Sequence, residues 1–157
     1  MTLKETTTAH LQRAFRGPSA HGPALHELID DLTEEQAKAK PLTDAHSIAE
    51  LVAHVTSWID AIARRLEGEE FATASVDNFP DVNMLTFAEV AARFTHAHER
   101  LLESVSRLDD DDFMRNVAGR DYNVLEALNF VVDHSLYHAG QIALLKKLAT
   151  SELRAKS

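Results

Sequence analysis

Two histidines four residues apart, His134 and His138, have the spacing best suited to chemistry in this chain. On an α-helix, positions i and i+4 lie one above the other on the same face. Their imidazole nitrogens can then converge on one transition-metal ion beside the helix. His54, in a separate helical segment, is the best candidate for a third ligand. We therefore predict a metal site built from His54, His134 and His138.

No fourth protein ligand accompanies these histidines. Asp133 adjoins His134, but a helix turns about 100° per residue, so its carboxylate is expected to point into solvent. Three histidines with water or substrate in the fourth position form the catalytic arrangement of zinc, whereas structural zinc sites use four protein ligands. Imidazole also suits nickel, iron and copper, so the metal stays open. The competing interpretation is three ordinary half-buried histidines at the core boundary.

The composition argues against several other classes of function. The 157 residues carry 16 basic and 25 acidic side chains, a net charge of −9, without a basic stripe, so no nucleic-acid partner is expected. Cysteine is absent, which rules out disulfides, thiolate ligands and a cysteine nucleophile. No segment approaches the roughly 20 apolar residues of a membrane span, and no apolar signal segment is visible. We expect a cytoplasmic protein with one domain over residues 1–157.

The apolar residues recur with a helical period, and neither strand alternation nor a hairpin turn is present. Four main helices are predicted: about residues 3–32 with breaks at 17–18 and 22–23, then 47–68, 86–108 and 123–150. The last three begin at Ser47, Thr86 and Asn123, each followed three residues later by a glutamate as in a capping box. The pattern predicts an all-α four-helix bundle. The loop over about residues 69–85 is long enough for a crossover connection.

Three other side chains are weaker candidates for binding or catalysis. Gln141 shares the face of the paired histidines and could hold a water or a substrate group. Trp58 lies one turn after His54 and is expected as a core or interface aromatic rather than a substrate platform. His21 lies in a turn before Gly22, from which it could lean over a site, although a surface position is the simpler expectation.

The other residues considered have structural interpretations. His46 and His96 are expected at the surface, and His98 as a hydrogen-bonded core histidine. Glu50 is expected to act as a helix-capping partner rather than as a general base. Gly140, inside the fourth helix, costs about 1 kcal/mol relative to alanine. We attribute that cost to the close approach of another helix or of a partner subunit.

Two segments carry a family resemblance. Residues 45–58 (AHSIAELVAHVTSW) and 134–145 (HSLYHAGQIALL) strongly resemble the DinB-like superfamily, which includes the YfiT-like metal-dependent enzymes. The resemblance implies a four-helix bundle of non-sequential topology. It also implies a divalent metal held by His54, His134 and His138, and a homodimer. In one subgroup an aromatic residue often precedes the histidine that corresponds to His21, whereas this chain has Ala20 there.

The activity implied by the resemblance is metal-dependent thiol chemistry. Characterised relatives in the wider superfamily are S-transferases that use bacillithiol or mycothiol, and a mycothiol-dependent isomerase. A metal in an open site would lower the pKa of a bound thiol or water and provide a nucleophile at neutral pH. We therefore expect an S-transferase-type enzyme that takes a low-molecular-weight thiol and a small electrophilic substrate, with zinc, nickel or iron as the metal.

Two alternatives stay open at this stage. A metal-dependent hydrolase would use bound hydroxide, although the sequence shows no clear general base. A non-catalytic dimeric module would use the metal for structure, or would bind a small ligand without turnover.

Overall fold

Six α-helices and two short 3₁₀ turns make up this computed structural model, which describes residues 1–156 and the side chains of residues 1–155. The α-helices are α1 (Leu3–Arg16), α2 (Leu25–Ile29), α3 (Glu34–Lys38), α4 (Ile48–Leu66), α5 (Phe87–Ser106) and α6 (Val124–Lys156). The described residues form no strand, so the predicted all-α class is confirmed. None of these helices has the length and apolar character needed to cross a bilayer. Ser157, the last residue of the predicted domain, lies outside the described residues.

The three predicted capping sites lie at the starts of α4, α5 and α6. The hydroxyl of Ser47 accepts from the Glu50 N–H at the start of α4, and the Glu50 carboxylate accepts from the Ser47 N–H. The same reciprocal pair begins α5 at Thr86. At α6, Asn123 Oδ1 accepts from the Glu126 N–H at 2.9 Å. Each cap satisfies backbone donors that a helix N-terminus otherwise leaves unpaired, and so fixes where the helix starts.

The first helical region is more divided than predicted. Helix α1 ends before Gly17, whose φ of 79° lies in the left-handed region that favours glycine. The following segment forms two five-residue helices, α2 and α3, and α3 was not predicted as a separate element. It has its own capping box, in which the Thr33 hydroxyl accepts from the Gln36 N–H. Five residues are too few for apolar periodicity to reveal a helix.

The last helix is longer than predicted. We expected the helix to fray after about Thr150, but α6 continues to Lys156. Gln36 of α3 donates to the Thr150 hydroxyl at 3.2 Å. Lys146 binds the Leu28 carbonyl and the Asp31 carboxylate near α2. These tertiary contacts stabilise the last part of α6, where the sequence no longer shows apolar residues at helical spacing.

The long helices α1, α4, α5 and α6 pack in a non-sequential order. Helix α4 packs most extensively against α5 and then against α6, and α1 packs against α6 and, less extensively, α5. Two pairs of long helices that follow one another in the chain, α1 with α4 and α5 with α6, therefore lie diagonally opposite each other in the described bundle. The expected crossover is present at those two connections. The loop over about residues 69–85, which is long enough for a crossover, does not make it, because that segment joins the neighbours α4 and α5.

Large buried side chains hold the four long helices together. Each contributes about 1.5–3 kcal/mol through loss of apolar surface from water. The largest include Phe15, Phe94, Leu101, Leu128 and Ile142, all less than 2% exposed. This packing fixes α4 beside α6, the two helices that carry the paired histidines and their third partner.

Candidate metal centre

The three predicted histidines meet between α4 and α6. His54 Nε2 lies 3.0 Å from His134 Nε2, and His138 Nε2 lies 3.1 Å from the same atom. The possible ligand atoms of all three side chains fall within 4.8 Å of one another. Because an imidazole nitrogen binds zinc at about 2.0–2.1 Å, a small relaxation would place one ion within reach of three nitrogens so arranged. His54 and His138 are buried and His134 is half-buried.

Hydrogen bonds on the outer side of two rings determine which nitrogen faces the centre. His54 Nδ1 lies 2.6 Å from the backbone oxygen of Asn78, and His138 Nδ1 lies 2.7 Å from Oε1 of Gln141. A carbonyl oxygen only accepts, so each Nδ1 must donate its hydrogen. In the neutral rings Nε2 then carries a lone pair directed at the centre. An acceptor beyond the far ring nitrogen is also the usual outer support of a metal-binding histidine.

The surroundings favour the neutral imidazoles that metal binding requires. The pKa of His134 is lowered to about 4, mainly by burial and then by the nearby rings of His138 and His54. Burial also lowers the pKa of His138, while its hydrogen bond to Gln141 partly opposes that effect. Protons therefore compete weakly for the nitrogens of His134 and His138 at neutral pH.

Aromatic rings that were not predicted from the sequence cover the two sides of the centre. Phe79 stacks on His54 with 4.3 Å between centroids and 12° between planes, and also stacks on His46. Phe130 stacks on His134 at 5.3 Å and 15°. Phe130 precedes His134 by one helical turn, so helical spacing could have found it. Phe79 lies in the connection between α4 and α5, where periodicity carries no signal.

A cavity of about 620 Å³ extends from His54 and His134 between α4 and α6. Its walls are mostly apolar, and it is large enough for a small organic molecule. Its lining includes Trp58, Ile62, Ala127, Phe130, Tyr122 and Arg65. The histidine centre therefore opens onto a chamber and does not end in packed core.

The three weaker candidates occupy different positions. Trp58 lines the cavity and donates from Nε1 to the Asn78 side chain at 2.8 Å. Gln141 touches the centre by accepting from His138, and its own amide donates to the Tyr137 hydroxyl at 3.2 Å. His21 is exposed and lines a separate cavity of about 220 Å³ against another face of α6.

Some of the remaining predictions are confirmed and others are wrong. His46 and His96 are exposed and Glu50 is a capping partner, as predicted. His98 is fully buried as predicted, but the prediction of a hydrogen bond was wrong, because neither ring nitrogen has a partner in the described structure. A Cβ added at Gly140 would meet no neighbouring helix of the described chain within 4 Å. Close approach within the chain therefore does not explain that glycine.

The family model of the DinB superfamily matches residues 19–142, well over half of the chain. The chain therefore belongs to the DinB superfamily. The match includes both long helices of the histidine centre up to Ile142. Among curated proteins, none matches this chain.

Proposed function

We propose that His54, His134 and His138 bind one divalent transition metal, and that the protein is a metal-dependent S-transferase acting on a low-molecular-weight thiol. The observation that carries the first step is the convergence of three Nε2 atoms, two of them left unprotonated by hydrogen bonds on the opposite nitrogen. Membership of a generally metal-binding superfamily supports the same step.

The metal would supply Lewis acidity, which lowers the pKa of a bound thiol or water. The three imidazoles leave a further position for such a group, because no fourth histidine or carboxylate joins the cluster among the described residues. Zinc, nickel and iron all suit imidazole ligands. Gln141 and the Asn78 carbonyl would hold the His138 and His54 rings in position throughout.

The cavity beside the centre supports a bimolecular reaction. Trp58 and Phe130 form an aromatic wall, with 5.9 Å between their ring centroids. An apolar electrophile bound there would lie next to His54 and His134, which line the same cavity. Bulk water would be partly excluded, which strengthens electrostatic interactions with the reacting groups. The chain has no cysteine, so the sulfur would come from a cosubstrate.

Hydrolysis is the second candidate, because one wall of the cavity carries a carboxylate. Glu126 lines the cavity, but its Oε2 accepts from the Asn123 N–H at 2.8 Å as part of the helix cap. Glu50 is similarly engaged, with the Ser47 N–H and the Lys40 ammonium. Neither carboxylate contacts the three histidines through a hydrogen bond, which favours the transferase.

A thiol-conjugation assay tests the proposal. Protein stripped of metal and then reloaded with zinc, nickel or iron would be offered a panel of low-molecular-weight thiols and the electrophile monochlorobimane. We expect metal-dependent conjugation that is lost in His138→Ala and retained in His96→Ala, whose histidine is exposed on α5. Conjugation that is independent of metal, or that survives His138→Ala, would contradict the proposal. Turnover of ester substrates without thiol would favour the hydrolase instead.

A further inference from the structure

A buried arginine lies at the far end of the same cavity. Arg65 is 5% exposed, yet no described carboxylate lies within ion-pair distance of its guanidinium. Its neighbour Arg64 differs, because it pairs with Glu69 at 2.7 Å and is partly exposed. A buried charge without a counter-ion is costly, and such charges are normally paired.

The atoms around Arg65 form a set of hydrogen-bond donors. Nη1 donates to the Tyr122 hydroxyl at 2.9 Å and Nη2 to the Thr73 hydroxyl at 3.3 Å, while Nε is buried and has no partner among the described residues. A hydroxyl oxygen that accepts from arginine keeps its own hydrogen free to donate elsewhere. Tyr122 and Thr73 both line the cavity, as Arg65 does. The guanidinium charge and two hydroxyl donors thus meet at one end of an apolar chamber.

The spacing along α4 separates this end from the histidines. His54, Trp58, Ile62 and Arg65 all line the cavity and follow one face of the helix. At 1.5 Å of rise per residue, the Cα atoms of His54 and Arg65 lie about 16 Å apart along the axis. A ligand could therefore place one end near the histidines and the other near Arg65, with its body against the aromatic wall of Trp58 and Phe130.

We propose that this cavity binds a carboxylate-bearing substrate with an apolar body, and that Arg65, Tyr122 and Thr73 receive the carboxylate. The Phe71 ring, 4.8 Å from the guanidinium carbon, offsets part of this charge by a cation–π contact but supplies no counter-ion. One positive charge without a carboxylate partner matches a monoanion. A dianionic phosphate would bring a second negative charge into a chamber that already contains Glu126. The assignment of the reacting end to the histidine side rests on the proposed function. The carboxylate preference does not depend on it.

The sole tryptophan of the chain makes binding directly measurable. Trp58 lines the cavity, so its fluorescence reports ligands that enter. The probes are 4-phenylbutyrate, its neutral amide and 3-phenylpropyl phosphate, which is mainly dianionic at the pH of 7.5 used here. Each is titrated into the protein freed of metal by chelation. Without metal, a headgroup cannot gain affinity by coordination, so failure of the metal proposal would leave this test intact.

We expect the carboxylate to bind at least about tenfold more tightly than the amide, as a charge-assisted hydrogen bond provides. Arg65→Gln should bring that ratio close to one. Arg64→Gln, the matched control that removes a charge from the adjacent position, should leave it unchanged. Tyr122→Phe keeps the charge and removes one donor, and should lower the ratio several-fold. Tyr122→Phe therefore tests the carboxylate preference if Arg65→Gln does not fold.

Three results would overturn the inference. Equal binding of carboxylate and amide by the native protein would show that Arg65 does not select an anion. An equal loss in Arg64→Gln and Arg65→Gln would assign the preference to general surface charge. Tighter binding of the phosphate ester than of the carboxylate would contradict the monoanion assignment.

Discussion

Replacement of His98 by leucine should remove a large part of the acid sensitivity of the fold. His98 is fully buried on α5 and stacks on Phe15 with 3.8 Å between centroids, and neither of its ring nitrogens has a hydrogen-bond partner in the described part of the chain. Burial, followed by the charges of His26 and Arg16, lowers its pKa to about 3. Leucine is apolar and close to histidine in volume, so it should fit the position with little repacking.

The sign and size of the effect follow from proton linkage. The pKa of His98 is about 3 in the folded protein and 6.5 in the unfolded chain, so below pH 6.5 the unfolded state binds a proton that the folded state does not. This contribution to the free energy of unfolding is fully present above pH 6.5 and is lost as the pH falls towards 3. At about 1.4 kcal/mol per pKa unit, His98 alone removes about 2 kcal/mol between pH 7.5 and pH 5.

Urea unfolding followed by far-UV circular dichroism at pH 7.5, 6 and 5 measures this contribution. The native protein should lose about 2 kcal/mol more than His98→Leu over that interval. The comparison cancels the other titrating groups, including the histidine centre, because both proteins contain them. His96→Leu, at an exposed position on the same helix, is the control and should keep the native pH dependence. Identical pH dependence in the native protein and His98→Leu would refute the reasoning.

Three further outcomes are expected. Gln141→Leu removes the acceptor of the His138 Nδ1 hydrogen and should weaken zinc binding about 10- to 100-fold in chelator competition; unchanged affinity would show that Gln141 does not orient the ring. Zinc at 100 times its dissociation constant should stabilise the native protein by about 2.7 kcal/mol, a rise of roughly 5–10 °C in melting temperature; a similar rise in His134→Ala would place the ion elsewhere. Leu101→Ala leaves a void in the core and should lower the free energy of unfolding by about 2–5 kcal/mol in urea titrations, whereas a cost below 1 kcal/mol would contradict the packing described.

Local patterns were sufficient to predict the main helices and the pairing of His134 with His138. A capping box acts over three residues, so Ser47, Thr86 and Asn123 could be assigned as helix starts without tertiary information. The pairing of His134 with His138 follows from helical spacing alone. The contribution of His54 depended on how α4 packs against α6, and the family resemblance supplied that relation.

Features that depend on tertiary structure were missed. Asn78 supports His54 through its backbone carbonyl, which every residue possesses, so no side-chain pattern indicates it. Arg64 and Arg65 are adjacent and chemically identical, and only the rotation of α4 in the bundle buries one of them. The unpaired nitrogens of His98 likewise depend on the absence of a polar neighbour, which a single sequence does not show.

The central claim is that three histidine Nε2 atoms bind one metal ion. Elemental analysis of untagged native protein, His138→Ala and His96→Ala, each incubated with zinc and then desalted, tests it most directly. We expect about one equivalent of zinc in the native protein and in His96→Ala, and a nearly complete loss in His138→Ala. Absence of metal from the native protein after incubation with zinc, nickel and iron salts, or its retention by His138→Ala, would contradict the claim.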